Sequence, residues 1–113
     1  MAAQERRSFP RIHDEGLSLK LNAGDFDTIT HTQDISASGL YCKVSKPIPL
    51  MSRVILSLML SENKPLDVEG VVVREHPVVI DGVIKHYDIA IFFDSLSEKN
   101  KEEIQEYISR KKQ

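Results

Sequence analysis

Tryptophan is absent from this chain, and all aromatic residues together make up 6% of its 113 positions. Proteins that bind single-stranded nucleic acid stack bases on aromatic side chains inside a basic groove. The basic excess is missing too: 15 Lys and Arg against 17 Asp and Glu leave a net charge of −2. No nucleic acid polymer is therefore expected as a partner. A single cysteine, Cys42, excludes an internal disulfide and fits a reducing cytoplasm. The four histidines, His13, His31, His76 and His86, show no paired ligand spacing, so no metal is expected. No run approaches the ~20 apolar residues of a membrane span, and the charged N-terminus is no signal peptide. The expectation is a cytoplasmic protein without membrane insertion. A nucleophile with a partner base and a Gly-x-x-x-x-Gly-Lys-Ser/Thr phosphate loop are both missing, which speaks against an enzyme.

What is present is a period of two. Leu17, Leu19 and Leu21 alternate with Ser18 and Lys20 as in a half-buried strand, and Phe26 to Thr32 is rich in strand formers. Leu40, Cys42 and Val44 alternate with Tyr41, Lys43 and Ser45 until Pro47-Ile48-Pro49 interrupts them. Val54, Leu56, Leu58 and Leu60 share a face, as do Leu66, Val68 and Val72. Asp81-Gly82 between Val78-Val79-Ile80 and Val83-Ile84 is a two-residue hairpin signal, and Tyr87, Ile89, Ile91 and Phe93 complete the pattern. Short turns between so many strands predict an antiparallel barrel or sandwich.

The period then changes. Ser95-Leu96-Ser97-Glu98 matches a capping box, with Ser97 as the alternative cap. Ile104, Tyr107 and Ile108 lie on one helical face, which predicts a C-terminal helix packed over the β unit. Residues 1–12 read as a flexible arm and 13–113 as a single domain.

Two segments stand out as chemistry. Arg6-Arg7-Ser8-Phe9-Pro10-Arg11 carries three guanidiniums, and Asp34-Ile35-Ser36-Ala37-Ser38-Gly39 joins two predicted strands. Each alone has a plain reading, the first as a solvated basic arm and the second as a turn. Taken in order, Arg7-x-x-x-Arg11 followed by Asp34-x-Ser36-x-x-Gly39 resembles the signature of the PilZ domain family. The resemblance runs from about Glu5 to the final helix. Gly70-Val71-Val72-Val73-Arg74 is similar to a later strand of the family and Asp88-Ile89-Ala90-Ile91-Phe92-Phe93 to its last, with Ala90 where many relatives carry glycine.

The resemblance implies an all-β fold, a six-stranded antiparallel barrel of the split-barrel type with a C-terminal α-helix. It also implies binding of the bacterial second messenger cyclic di-GMP, as ligand rather than cofactor, through Arg6, Arg7, Arg11, Asp34, Ser36 and Gly39. The chemistry suits that ligand. An arginine fork meets guanine O6 and N7 with two parallel bonds or pairs with a phosphate, while Asp34 accepts from guanine N–H groups. Gly39 permits an unusual backbone angle or a close approach of the ligand. These side chains are expected outside the core. Arg74 is expected to pair with Glu75, Asp88 or Glu69, and Cys42 to be a core residue. Arg6 stands before the first motif arginine, where relatives with arginine tend to bind two stacked ligands, so two molecules per protomer are expected; pairing of Arg6 with Glu5 is the alternative. Ligand binding would order the arm and signal to a separate, unidentified protein. The competing reading is an interaction module on the same fold that the ligand does not regulate.

Overall fold

The computed structural model describes residues 11–13, 17–24, 26–61 and 64–111. They form seven β segments and one helix in chain order: β1 (Arg11–His13), β2 (Ser18–Asn22), β3 (Asp27–Ser36), β4 (Gly39–Val44), β5 (Arg53–Ser61), β6 (Lys64–Ile80), β7 (Val83–Phe93) and α1 (Glu98–Lys111). All pairings are antiparallel. The sheet runs β3-β2-β5-β6-β7-β4, and β4 pairs back onto β3. Six strands thus close a barrel, which removes the open edges that invite aggregation.

Strand β3 makes the closure possible by changing partners along its length. Asp27 to His31 pair with β2, whereas Thr32 to Ser36 pair with β4. On the side that β2 vacates, β1 takes over, with Arg11 opposite Ser36 and His13 opposite Asp34. Arg11 and Ile12, read from the sequence as part of the arm, therefore belong to the sheet. Residues 1–10, with Arg6 and Arg7, lie outside the described residues.

The alternation translates directly into burial. Leu19, Leu21, Ile35, Leu40, Cys42, Leu56, Leu58, Val72, Ile89 and Ile91 are all buried in one core cluster. Ile48, in the proline-flanked loop, joins them at 2% exposure, a core residue that periodicity does not flag. Ile104, Tyr107 and Ile108 of α1 add the final layer, and the helix rests against β1, β3 and β5. No helix among the described residues is long and apolar enough to cross a membrane.

Two local expectations meet different fates. At Asp81-Gly82 both residues have positive φ, 54° and 79°, the primed turn whose twist matches the strands it joins. The capping box at Ser95 does not form: Ser95 itself has φ 71°. Ser97 caps α1 instead, its Oγ accepting the Asn100 N–H at 3.1 Å and its carbonyl the Lys101 N–H at 2.9 Å. Strand β6 is also longer than the pattern suggested, running through Pro77 to Ile80. Beyond Val71 it has lost β5 and keeps only β7 as a ladder partner, a setting in which proline is tolerated.

Burial, with the Asp88 charge adding to it, pushes the Cys42 thiol up to about 12. The thiol is therefore neutral and inert in the folded protein. Since the unfolded thiol ionises near 9.0, this group leaves stability untouched below pH 9 and withdraws it as pH rises from there toward 12. At pH 8 a thiol reagent should leave the native chain unmodified and label it fully in urea. Rapid labelling of the native protein would contradict the burial of Cys42.

Candidate functional site

The turn between β3 and β4 consists of Ala37 and Ser38 alone, since Ser36 and Gly39 are already paired. Ser36 builds that turn. Its Oγ accepts the Ser38 N–H at 3.2 Å, lies 3.0 Å from Ser38 Oγ and donates to the Gly39 carbonyl at 3.4 Å. The residue is 1% exposed, although it alternates with Ile35 and so faces away from the core that Ile35 and Leu40 enter. The Ser38 carbonyl accepts the Phe93 N–H at 2.9 Å, which ties the turn to the end of β7.

Gly39 is required for a different reason than an unusual angle. Its φ lies outside the positive region, where only Gly24 and Gly82 fall among the described glycines. A Cβ at Gly39 would stand 2.2 Å from the Ile91 carbonyl oxygen. No side chain fits there, because the obstacle is backbone that cannot rotate away.

The register lines up the site across the strands. Arg11, Ser36, Gly39 and Phe92 occupy one row, and His13, Asp34, Tyr41, Ala90 and Arg74 the next. Directly opposed residues share a face, so the backbone position of Arg11 and the Asp-x-Ser-x-x-Gly segment, well separated in sequence, meet on one wall. Asp34 is half-buried. Beside it opens a cavity of about 500 Å³ lined by Tyr41, Arg74, Glu75, His76, Asp88, Ile89 and Ala90. A smaller one, about 310 Å³, lies on the other flank among Thr30, His31, Thr32, Gln33 and Lys43. No metal-binding cluster occurs among the described residues.

The charges in this wall are distributed differently from the sequence expectation. Glu75 accepts the Ile48 N–H at 2.6 Å. His86 Nε2 lies 3.2 Å from Asp88 Oδ1, but the geometry is not that of a hydrogen bond and Oδ1 is buried without a donor. Glu69 gives its carbonyl to the Asp94 N–H. Arg74 pairs with none of the three carboxylates and is exposed at the cavity. A guanidinium exposed at a cavity that also holds the Glu75 and Asp88 carboxylates can offer its fork to a neutral acceptor edge such as guanine O6 and N7, while a carboxylate accepts from donors on the same ligand. The sequence reading missed Tyr41, His76 and Asp88 as lining residues. Their only local signal was falling on the polar phase of their strands.

A family model describes residues 5–110, and it is that of the PilZ domain. The chain belongs to the PilZ domain family. No curated protein matches this PilZ domain in sequence, but solved structures do in fold. The inhibitor of motility MotI/DgrA of Bacillus subtilis superposes with a TM-score of 0.76 at 15% identity, covering 95% of this chain and 51% of that one. The complex of K. pneumonia MrkH with c-di-GMP gives 0.73 at 17%, with 96% and 56% covered. The PilZ domain of Escherichia coli YcgR with c-di-GMP gives 0.71 at 16%, with 95% and 96% covered. This PilZ domain thus spans about half of the first two chains and nearly all of the third. Likeness at this identity establishes the fold.

The Gly39 contact sets a stability test. Gly39→Ala should cost about 3 kcal/mol in urea unfolding, because strands β4 and β7 must separate to admit the methyl. Ser36→Ala should cost about 1 kcal/mol for the lost turn bonds. Equal stability of Gly39→Ala and the parent would contradict the close approach of the Ile91 carbonyl.

Proposed function

We propose that this PilZ domain is a receptor for cyclic di-GMP that carries the message to a separate protein and has no catalytic activity of its own. The observation that carries the reading is the register of β1 on β3, which sets the backbone of the second motif arginine opposite Ser36 and two residues from the level of Asp34, on the same face. The backbone of Arg11, from one half of the signature, thus lies beside Asp34 and Ser36 of the other half, which is distant in sequence. Membership of the family and the c-di-GMP complexes of MrkH and YcgR support the same reading.

In this proposal Arg7 and Arg11 approach the ligand from the arm side, meeting guanine O6 and N7 or a phosphate. Asp34 accepts from the guanine Watson–Crick edge. Ser36 and Gly39 act mainly by shaping the turn that presents Asp34, which follows from their burial. Arg74 supplies further positive charge from the cavity. Residues 1–10 become protected on binding, and that change is what the downstream protein reads.

Calorimetry with cyclic di-GMP should give low-micromolar or tighter binding, with cyclic di-AMP much weaker, because adenine places an amino donor where the fork expects O6. Arg7→Ala and Arg11→Ala should each lose about 2–3 kcal/mol, roughly 30- to 150-fold, and Asp34→Ala about 1–2 kcal/mol. Amide exchange over residues 1–10 should slow with ligand. Absence of heat and of any thermal shift at ~100 µM ligand would refute the receptor reading and favour an interaction module on this fold.

Stoichiometry is a separate matter. Two stacked ligands bring four phosphates, whose mutual repulsion calls for additional nearby cations, and Arg6 provides one. A titration should read two ligands per protomer, falling toward one in Arg6→Leu. A wild-type ratio of one would end the paired-ligand proposal and leave the receptor reading standing.

A further inference from the structure

β6 loses β5 after Val71, whereas β7 keeps β4 as far as Tyr87, so beyond Pro77 and Tyr87 the two strands leave the barrel as a short two-stranded ribbon with no third strand among the described residues. A ribbon exposed on both faces would be expected to be polar. Its tip is aliphatic instead: Val79 is 57% exposed and its cross-strand partner Ile84 49%. The edges are defended against strand addition. Pro77 removes a donor from the β6 edge, and a register shift leaves Lys85 as a bulge on β7, both devices that discourage edge pairing. Contact through a face remains open.

One face carries more apolar surface than the tip. Glu75, Pro77 and Val79 alternate onto the same side, and Glu75 holds the Ile48 N–H with its carboxylate at 2.6 Å. The loop after β4 therefore lies at the base of the face that bears Val79 and Ile84. That loop exposes Leu50 at 58% and Met51 at 71%. Met51 has φ 69°, a left-handed conformation disfavoured for a long side chain. Its N–H bonds the Val72 carbonyl at 2.7 Å, and the following Ser52 N–H bonds the Pro49 carbonyl at 3.2 Å. A rigid, strained turn thus holds a large apolar side chain out in water.

The face reads, from end to end, as an aliphatic tip, a middle formed by Pro77 opposite Tyr87, and an aliphatic base. Reversing it end for end superposes apolar on apolar, the self-complementarity that a two-fold interface requires. We propose that this face is a self-association surface: two copies pack ribbon on ribbon in opposite directions, Val79 and Ile84 of each covering Leu50 and Met51 of the other, with Pro77 near the axis. The area agrees. A stable interface takes about 800 Å² per partner, about 60% of it apolar, and Val79, Ile84, Pro77, Leu50 and Met51 together expose on the order of 450 Å². The tip alone offers about half of that, too little for a stable dimer. Arg11, Asp34, Ser36 and Gly39 lie on other strands, although the hairpin that carries this face also lends Arg74, Glu75 and Asp88 to the candidate cavity.

Sedimentation equilibrium of the full chain at on the order of 100 µM tests it, read against twice the 12.8 kDa chain mass. The wild type should be dimeric. The double variant Val79→Thr, Ile84→Thr, which keeps β-branched side chains in the ribbon, should dissociate at least tenfold more readily with the melting temperature of dilute protein unchanged. Geometry is read by mixing two single-cysteine variants, Ile84→Cys and Met51→Cys, under mild oxidation, with the buried Cys42 held out of exchange. A mixed disulfide between the two variants is expected. A monomeric wild type, a dimer that the threonine variant leaves intact, or disulfides only between like variants would each overturn the proposal. So would a wild type that stays monomeric but uses the tip to bind anionic phospholipid vesicles, which would make a lipid surface the occupant.

Discussion

The backbone of β7 at Ile91 and Phe92 lies so close to both neighbouring strands that neither can carry a side chain beside it. A Cβ at Gly39 on β4 would meet the Ile91 carbonyl oxygen at 2.2 Å, and one at Gly70 on β6 would meet Ile91 Cγ2 at 2.5 Å and the Phe92 carbonyl oxygen at 3.0 Å. This constraint sets how tightly the barrel closes around its core. It also brings the β3–β4 turn within reach of the Phe93 N–H. Asp34 and Ser36 are presented on that turn's first strand, so the placement of the candidate site follows from a packing requirement at the back of the hairpin.

The site is built asymmetrically as a consequence. One side is a wall of paired strands in which Asp34, Tyr41, Ala90 and Arg74 sit at fixed register. Directly behind this wall, Ile35, Leu40, Cys42 and Ile89 are fully buried. Groups on rigid elements hold their geometry without a ligand, which lowers the entropy lost on binding. The other side is delivered by β1, a three-residue strand on the flank of β3, continuous with the arginine-rich N-terminus.

Closure of the barrel satisfies most strands but not β6 beyond Val71 or the first residues of β7 before Tyr87. The same hairpin that contributes Gly70, Ala90 and Ile91 to the core and cavity wall continues outward as the apolar ribbon. One hairpin thus carries two surfaces, the wall of the candidate cavity near its root and the aliphatic face toward its tip. A register shift between Val72 and Arg74 resets the alternation, and aliphatic residues continue past the point where a core exists to receive them.

Much of the fold was legible locally. Period-two stretches became strands, Asp81-Gly82 became the primed turn, and Ile104, Tyr107 and Ile108 became the buried helix face, because these depend on neighbours along the chain. The cap shows the limit: Ser95 and Ser97 both fit it chemically, and the positive φ of Ser95 at the exit from β7 left Ser97 to serve. The motif residues were legible as a set, through their resemblance to a family, but their roles were not. Burial of Ser36, the backbone contact at Gly39, the unpaired state of Arg74 within the described wall and the lining role of Tyr41 and Asp88 arise between strands distant in sequence. The sequence alone determined where strands, turns and helix form, since hydrophobic period and turn propensity act over a few residues. Only the tertiary structure decided which strands close against which, and hence that Ser36 and Gly39 hold the β3–β4 turn while Asp34 and Arg74 stand at the cavity wall, because cross-strand distances are set by packing among residues that no local pattern connects.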